Sequence, residues 1–450
     1  MQFHFNKVLK ALLILICSTA QTVLAQAPHP TGVIFENVRI FNGTSTRLSV
    51  PSNVLVVDKV IKVISTKPVA DPPATTVTRI KGGGRTLMPG LIDAHTHISM
   101  MAVPMADALN ADIGYVQIAA AKAAEAMLLR GFTTARDVGG PTFGLKRAID
   151  SGLILGPRIF PSGAMISQTG GHGDFRLPYE IPRTTGDPLS HTERIGLAAI
   201  ADSPDEVRRR VRENLMKGAS QIKLTAGGGV GSSYDPLDVT QFSEAEVHAA
   251  VEAAENWGTY VTVHAYTPRA VSIAIAAGVK SIEHGQLVDE ATVKLMAEKG
   301  IWWCLQPFLD DADWTPLSGA NRSKQIAVEN GTDTAYALAK KYNVKTAWGT
   351  DLIFSPELIS RQGAMLTKLV RWYTPGEVLK MATGDNGQLL ALSGLRNPYA
   401  GKLGVVEEGA LADLLLVNGD PVENLKLIED PSTNFPVIMK DGKIYKNDLH

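Results

Sequence analysis

Apolar and polar positions follow two different periods along this chain. Between Thr31 and Leu87 the apolar residues come in short runs: Val33-Ile34-Phe35, Val54-Leu55-Val56-Val57 and Val60-Ile61-Lys62-Val63-Ile64. Turn residues such as Asn42-Gly43 and Asp71-Pro72-Pro73 separate them, which predicts strands. A matching pattern returns at the far end, where Ala412 to Val417 and Val437-Ile438-Met439 flank Asp441-Gly442. Neither end can close a core alone. Residues 28–87 and 396–450 are therefore expected to combine into one small β-sandwich domain that brings the termini together.

In the interval 88–395, strand-like runs alternate with helical ones, the signature of βα units on a parallel sheet. After an opening strand near Leu91, strands are predicted at Thr133–Arg136, Arg158–Ser162, Gln221–Thr225, Tyr260–His264, Ser281–His284, Ile301–Gln306 and Thr346–Trp348. The segments Pro204–Lys217, Ser243–Asn256 and Asp289–Lys299 are rich in Ala, Glu, Lys and Arg at helical spacing. About eight strands over roughly 300 residues predict a (β/α)8 TIM barrel, an α/β fold. A doubly wound open sheet is the competitor, and no GxGxxG follows an early strand to favour it.

Composition narrows the class. The chain has 450 residues, 45% hydrophobic and 20% charged, with a formal net charge of -1. That balance gives no reason to expect nucleic acid or an anionic membrane surface as partner. At the N-terminus, Lys7 and Lys10 precede the apolar block Ala11–Cys17, and small residues follow at Ala25 and Ala27. This reads as a secretory signal peptide over 1–27, with a periplasmic or secreted mature protein and no stable membrane association after its removal. Loss of the leader takes Cys17 and leaves Cys304 as the lone cysteine, expected to be a small buried hydrophobe.

Candidate chemistry lies at the predicted strand ends. In Met88–Ile98, MPGLIDAHTHI, His95 and His97 are two positions apart on one strand, so both imidazoles can aim at one point. His264, His284 and Asp351 each close a β-prone run, where a barrel would present its active site. His191, His248, His29 and His450 carry no such signal. Lys223 interrupts the strand before Ala226-Gly227-Gly228-Gly229; its ammonium is no metal ligand, and it could join a metal site only as a carbamate formed with CO2. No Gly-Lys-Ser/Thr follows the glycines to make a phosphate loop.

These residues carry a resemblance. PGLIDAHTH, the lysine strand, the two later histidines, Gly349-Thr350-Asp351 and the late Gly409–Asp413 segment resemble the amidohydrolase superfamily of metal-dependent hydrolases, over nearly the whole mature chain. Gly170-Gly171-His172-Gly173 and Gly227–Val230 are similar to its imidazolonepropionase-like and Xaa-Pro dipeptidase branch. Val230–Leu237 and Gly300–Phe308 look like bacterial amidohydrolases that cleave ochratoxin A. The resemblance implies two divalent metal ions, zinc being expected. His95, His97 and Asp351 would hold one ion, His264 and His284 the other, with carboxylated Lys223 as the bridge.

It further implies cleavage of a small-molecule amide, an N-acyl or aminoacyl amino acid, by a water that the metals activate. Asp351 would move the proton, His172 would hydrogen-bond the carbonyl oxygen, and Tyr234 would bind a substrate carboxylate. A homo-oligomer is expected. Alternatives are a cyclic amidase, a lactonase or a deaminase of the same superfamily, with a non-catalytic scaffold disfavoured by the intact ligand set. Trp302, Trp303 and Phe308 are candidates for lining an apolar pocket.

Overall fold

A computed structural model describes residues 31–449 except Thr185 and Thr315, so the expected leader lies outside the described residues. Five strands come first: β1 (Thr31–Ile40), β2 (Ser52–Val57), β3 (Val60–Ser65), β4 (Thr76–Lys81) and β5 (Thr86–Pro89). Ten follow in the central region: β6 (Leu91–Thr96), β7 (Phe132–Asp137), β8 (Arg158–Pro161), β9 (Met165–Ser167), β10 (Ala198–Ile200), β11 (Ile222–Thr225), β12 (Val261–Ala265), β13 (Ser281–His284), β14 (Trp302–Leu305) and β15 (Lys345–Trp348). Three end the chain: β16 (Leu414–Val417), β17 (Val437–Lys440) and β18 (Lys443–Asn447).

The two ends meet in one mixed sheet, ordered β18-β17-β16-β5-β1-β2-β3, with β4 also paired to β1. Strand β1 serves both halves, pairing with β2 from Gly32 to Val38 across a bulge between Phe35 and Val38, and with β5 at Arg39 and Ile40. Val33, Phe35, Val54 and Ile61 from the N-terminal half share an apolar core with Leu414, Leu416, Val437 and Met439 from the other. Each half thus buries the face that the other would leave wet.

The central strands are parallel, and β6, β7, β8 with β9, β11, β12, β13, β14 and β15 make the eight staves of a barrel. Two features were not expected from the pattern: the third stave is split into β8 and β9, and the short β10 pairs with β9. Helices run as predicted at Pro204–Met216, Glu244–Asn256 and Glu290–Glu298, with Ser203, Ser243 and Asp289 accepting a backbone N–H at their starts.

Closure between the last stave and the first is made by a side chain. Asn386 Nδ2 donates to the carbonyls of Ile92 (2.7 Å) and Trp348 (2.8 Å), and its Oδ1 accepts from Trp348 N (3.1 Å). The crossing from sheet to barrel occurs at Gly90, whose N–H donates to Asp413 O and where a Cβ would lie 2.0 Å from Thr133 Oγ1. Beneath the barrel, Arg158 binds Asp413 through Nε (2.7 Å) and Nη2 (3.1 Å), and Asp441 through Nη2 (2.7 Å). Cys304 is fully buried among apolar residues of this interior. No helix among the described residues is long and apolar enough to cross a membrane.

Candidate metal centre

His95 sits on β6 and His97 just past its end. Their Nε2 atoms lie 3.1 and 3.3 Å from the same oxygen, Oδ1 of Asp351. Asp351 follows β15 in a left-handed conformation (φ 54°), and its N–H donates to His95 O at 2.8 Å. The turn can come this close because residue 349 is glycine: a Cβ there would sit 2.3 Å from His95 N. Asp93 ties the two segments together, accepting from Thr350 N (3.0 Å), Thr350 Oγ1 (2.7 Å) and Gln362 Nε2 (2.9 Å).

His264 on β12 and His284 at the end of β13 complete the cluster. Their rings are 4.4 Å apart, His284 is 4.9 Å from the His95 ring, and His284 Nδ1 is 4.0 Å from Asp351 Oδ2. His284 also takes a left-handed backbone (φ 72°). Lys223 on β11 lines the same cavity at 2% exposure, and no hydrogen bond or ion pair among the described residues engages its amine. Burial pushes its pKa down, and its charge acts on all four histidines. Burial disfavours the charged form of such an amine, while the Glu283 and Asp351 carboxylates act in the opposite sense.

The hydrogen bonds decide which ring nitrogens are free. His95 Nδ1 faces Glu283 Oε2 (2.8 Å), His97 Nδ1 faces Gly139 O (3.1 Å), His264 Nε2 faces Gly228 O (3.1 Å) and His284 Nδ1 faces Gln306 Oε1 (2.7 Å). Each partner is an acceptor, so each of those nitrogens must carry the proton, and in a neutral ring the other nitrogen keeps a lone pair. Burial lowers the pKa of His97, His264 and His284, which keeps them neutral. In His95 burial is outweighed by the neighbouring Asp351 and Glu283 carboxylates, and the pKa rises. His95 Nε2 is sealed from solvent with no hydrogen-bond partner, and the donor atoms of His95, His97 and Asp351 lie within 4.8 Å of one another. Oriented imidazole lone pairs beside a carboxylate fit a divalent cation.

The cavity beside this cluster measures about 370 Å³. His172 enters it from a loop, its ring stacked on His264 at 4.1 Å and its Nδ1 2.9 Å from Ser232 Oγ. Burial pushes its pKa down to about 4. The glycine run is a packing requirement here, since a Cβ on Gly229 would sit 2.0 Å from His172 Nδ1. Lys324 holds this loop from the helix Gly319–Lys341, its Nζ donating to Ser232 O (3.0 Å) and Asp235 O (2.7 Å). Tyr234 is placed elsewhere: it is 44% exposed, it does not line the cavity, and its hydroxyl donates to Arg176 O at 2.7 Å.

Phe308 lines the cavity, whereas Trp302 and Trp303 pack within the barrel wall. Trp314 packs against Phe308 with ring centroids 4.0 Å apart and planes tilted by 37°, and it lines the cavity together with Phe175, Leu352 and Phe354. The strap carrying Trp314 is fastened by ion pairs: Asp313 to Arg361 (2.5 Å) and Lys368 (3.1 Å), and Asp311 to Lys368 (2.6 Å).

Several contributors were not singled out from the sequence. Glu283 is fully buried between His95 and Arg136, whose Nη2 is 2.6 Å away, and it also bonds Thr262. Its pKa lies well below the usual range, burial being outweighed by Arg136 and His95. Gln306 and Tyr266 complete the surroundings of His284. A signal did exist for Tyr266, because the i, i+2 spacing that joins His95 to His97 also joins His264 to Tyr266.

A parallel barrel carries histidines and an aspartate at its strand ends as candidate metal ligands, and a sheet from both termini adjoins it. Residues 86–446 match the amidohydrolase family, and the chain belongs to it. It is 32% identical over 404 residues to an ochratoxinase of Aspergillus niger, covering 86% of this chain and 82% of that one. A crystal structure of an amidohydrolase superposes with a TM-score of 0.82 at 35% identity, over 93% of this chain and all of the other. A prolidase in complex with N-methylphosphonate-L-proline superposes with a TM-score of 0.81 at 32% identity, over 92% and 100% of the two chains.

Proposed function

We propose that this amidohydrolase cleaves the amide bond of N-acyl or aminoacyl amino acids, ochratoxin A among them. The observation that carries the reading is the convergence of His95, His97, Lys223, His264, His284 and Asp351, all but His95 lining one apolar cavity. The ochratoxinase and prolidase relatives, both named for amide substrates, support it.

His95, His97 and Asp351 would hold one divalent cation, and His264 and His284 a second, with carboxylated Lys223 between them and zinc as the first candidate. Such a pair, when bound, supplies an acidified water and a Lewis acid for the carbonyl oxygen.

The chain's own residues do the remaining work. Asp351, which faces His95 and His97 through one oxygen, would take the proton of the attacking water and deliver it to the leaving nitrogen. His172, held through Nδ1 at 2.9 Å from Ser232 Oγ, would donate from Nε2 to the carbonyl oxygen. Phe175, Phe308, Trp314 and Phe354 exclude water and suit a bulky apolar substrate group. From the leader read at residues 1–27 we also propose that the mature protein is periplasmic or secreted.

The test is a panel of dipeptides, N-acyl amino acids, ochratoxin A and lactones offered to metal-stripped and zinc-reloaded protein. Amide hydrolysis that is lost on stripping and regained with zinc is the expected result. Activity that survives thorough chelation, or activity confined to lactones, rejects the reading.

A further inference from the structure

Tyr266 directly follows β12 and is 3% exposed. Its ring spans two ligand candidates, 5.1 Å and perpendicular to His264, and 5.1 Å and nearly parallel to His284. The backbone is fixed, since Tyr266 O accepts from Leu287 N at 3.2 Å. Around it one nitrogen of each ring is already engaged: His264 Nε2 on Gly228 O, His284 Nδ1 on Gln306 and His172 Nδ1 on Ser232.

The Tyr266 hydroxyl, like the Lys223 amine, has no such partner. It makes no hydrogen bond with any described residue, yet it is not among the unpartnered atoms sealed from solvent, as the Tyr336 hydroxyl is. It therefore opens onto the cavity that Tyr266 lines together with His172, Lys223, His264, His284 and Asp351. Buried phenols ordinarily have a partner, and here the partner must come from the cavity's contents. Tyr234 cannot supply the same donor, because its hydroxyl is engaged on Arg176 O.

We propose that Tyr266 is a catalytic residue that donates its hydroxyl hydrogen bond to the substrate carbonyl oxygen, more strongly as that oxygen gains negative charge. The inference rests on the amide-hydrolysis reading. Tyr266 keeps its proton throughout, and no bond to it forms or breaks. A donor aimed at charge that develops only in the transition state acts on kcat rather than KM.

Zinc-loaded wild type and Tyr266→Phe are compared on an N-acyl amino acid that the wild type cleaves. Expected is a loss in kcat of roughly 100-fold with KM within about threefold. Metal content and Tm stay at wild-type values. Calorimetry with an N-methylphosphonyl amino acid, a tetrahedral probe, should show weakened binding in the variant, while the free product amino acid binds both proteins alike. A variant with wild-type kcat overturns the proposal, and so does one whose loss follows a fall in bound zinc. Wild type without amide hydrolysis on the panel defeats the functional reading and this inference together, whereas an active wild type beside an unaffected variant defeats this inference alone.

Discussion

His95 donates from Nδ1 to the carboxylate of Glu283 over 2.8 Å, and both side chains are wholly buried. Glu283 is in turn gripped by Arg136 at 2.6 Å and by Thr262. The chain of contacts sets the His95 tautomer from inside the barrel and leaves Nε2 facing Asp351.

Glu283→Gln should weaken metal binding by roughly 10- to 100-fold, because a neutral amide orients the imidazole less firmly and makes it less basic. Competition titration against a metal-sensitive chelating dye measures this directly. Unchanged affinity would show that His95 needs no carboxylate behind it.

Lys223→Ala removes the unpaired amine from the cavity, and both metal content and activity should fall to near background. Short carboxylic acids should restore part of each by occupying the place of the carbamate. Full activity in the variant without added acid would exclude a bridging lysine.

Asp313 is fastened to Arg361 and Lys368, which hold its carboxyl below the usual range against the opposing effect of burial. Asp313→Asn should loosen the strap and its Trp314, raising KM for bulky aromatic substrates roughly tenfold, equivalent to about 1.4 kcal/mol. Small acyl substrates should be little affected. Equal losses on both classes in steady-state kinetics would reject a role for the strap in substrate choice.

Asn386→Ala strips the side chain that joins Ile92 to Trp348 at the barrel's seam. Sealed backbone groups are left without partners, so stability should drop by about 2 kcal/mol or more. Urea unfolding checks this, and a loss under about 0.5 kcal/mol, the scale of an ordinary surface change, would mean the seam closes without Asn386.

Asp413→Ala leaves Arg158 buried beneath the third stave with Asp441 alone as its acidic partner. Breaking a buried pair in this way should cost about 3–5 kcal/mol. The same unfolding experiment measures it, and Asp413→Asn should recover part of the loss by accepting hydrogen bonds without the charge.

Much of the fold was legible because strand and helix periods are local. Each short apolar run predicted in the barrel region appears as a stave, shifted by at most a residue or two at its ends. The split of the third stave was not legible, since Ser162-Gly163-Ala164 interrupts pairing without breaking the apolar pattern. The convergence of candidate residues was legible where residue type and strand end coincided: His95, His97, Lys223, His264, His284 and Asp351 meet in one cluster.

The sequence by itself determined the alternation of elements, the residue types at the strand ends and the glycines and prolines that punctuate them. These depend on neighbours within a few positions, where backbone geometry makes spacing equivalent to direction. Only the tertiary structure decided which imidazole nitrogen is free, that Tyr266 rather than Tyr234 opens onto the cavity, and that Asn386 closes the barrel. Each depends on partners far apart in the chain, such as Glu283 for His95 or Ile92 for Asn386. A hydrogen bond is satisfied by proximity and angle in space, and no local period records those.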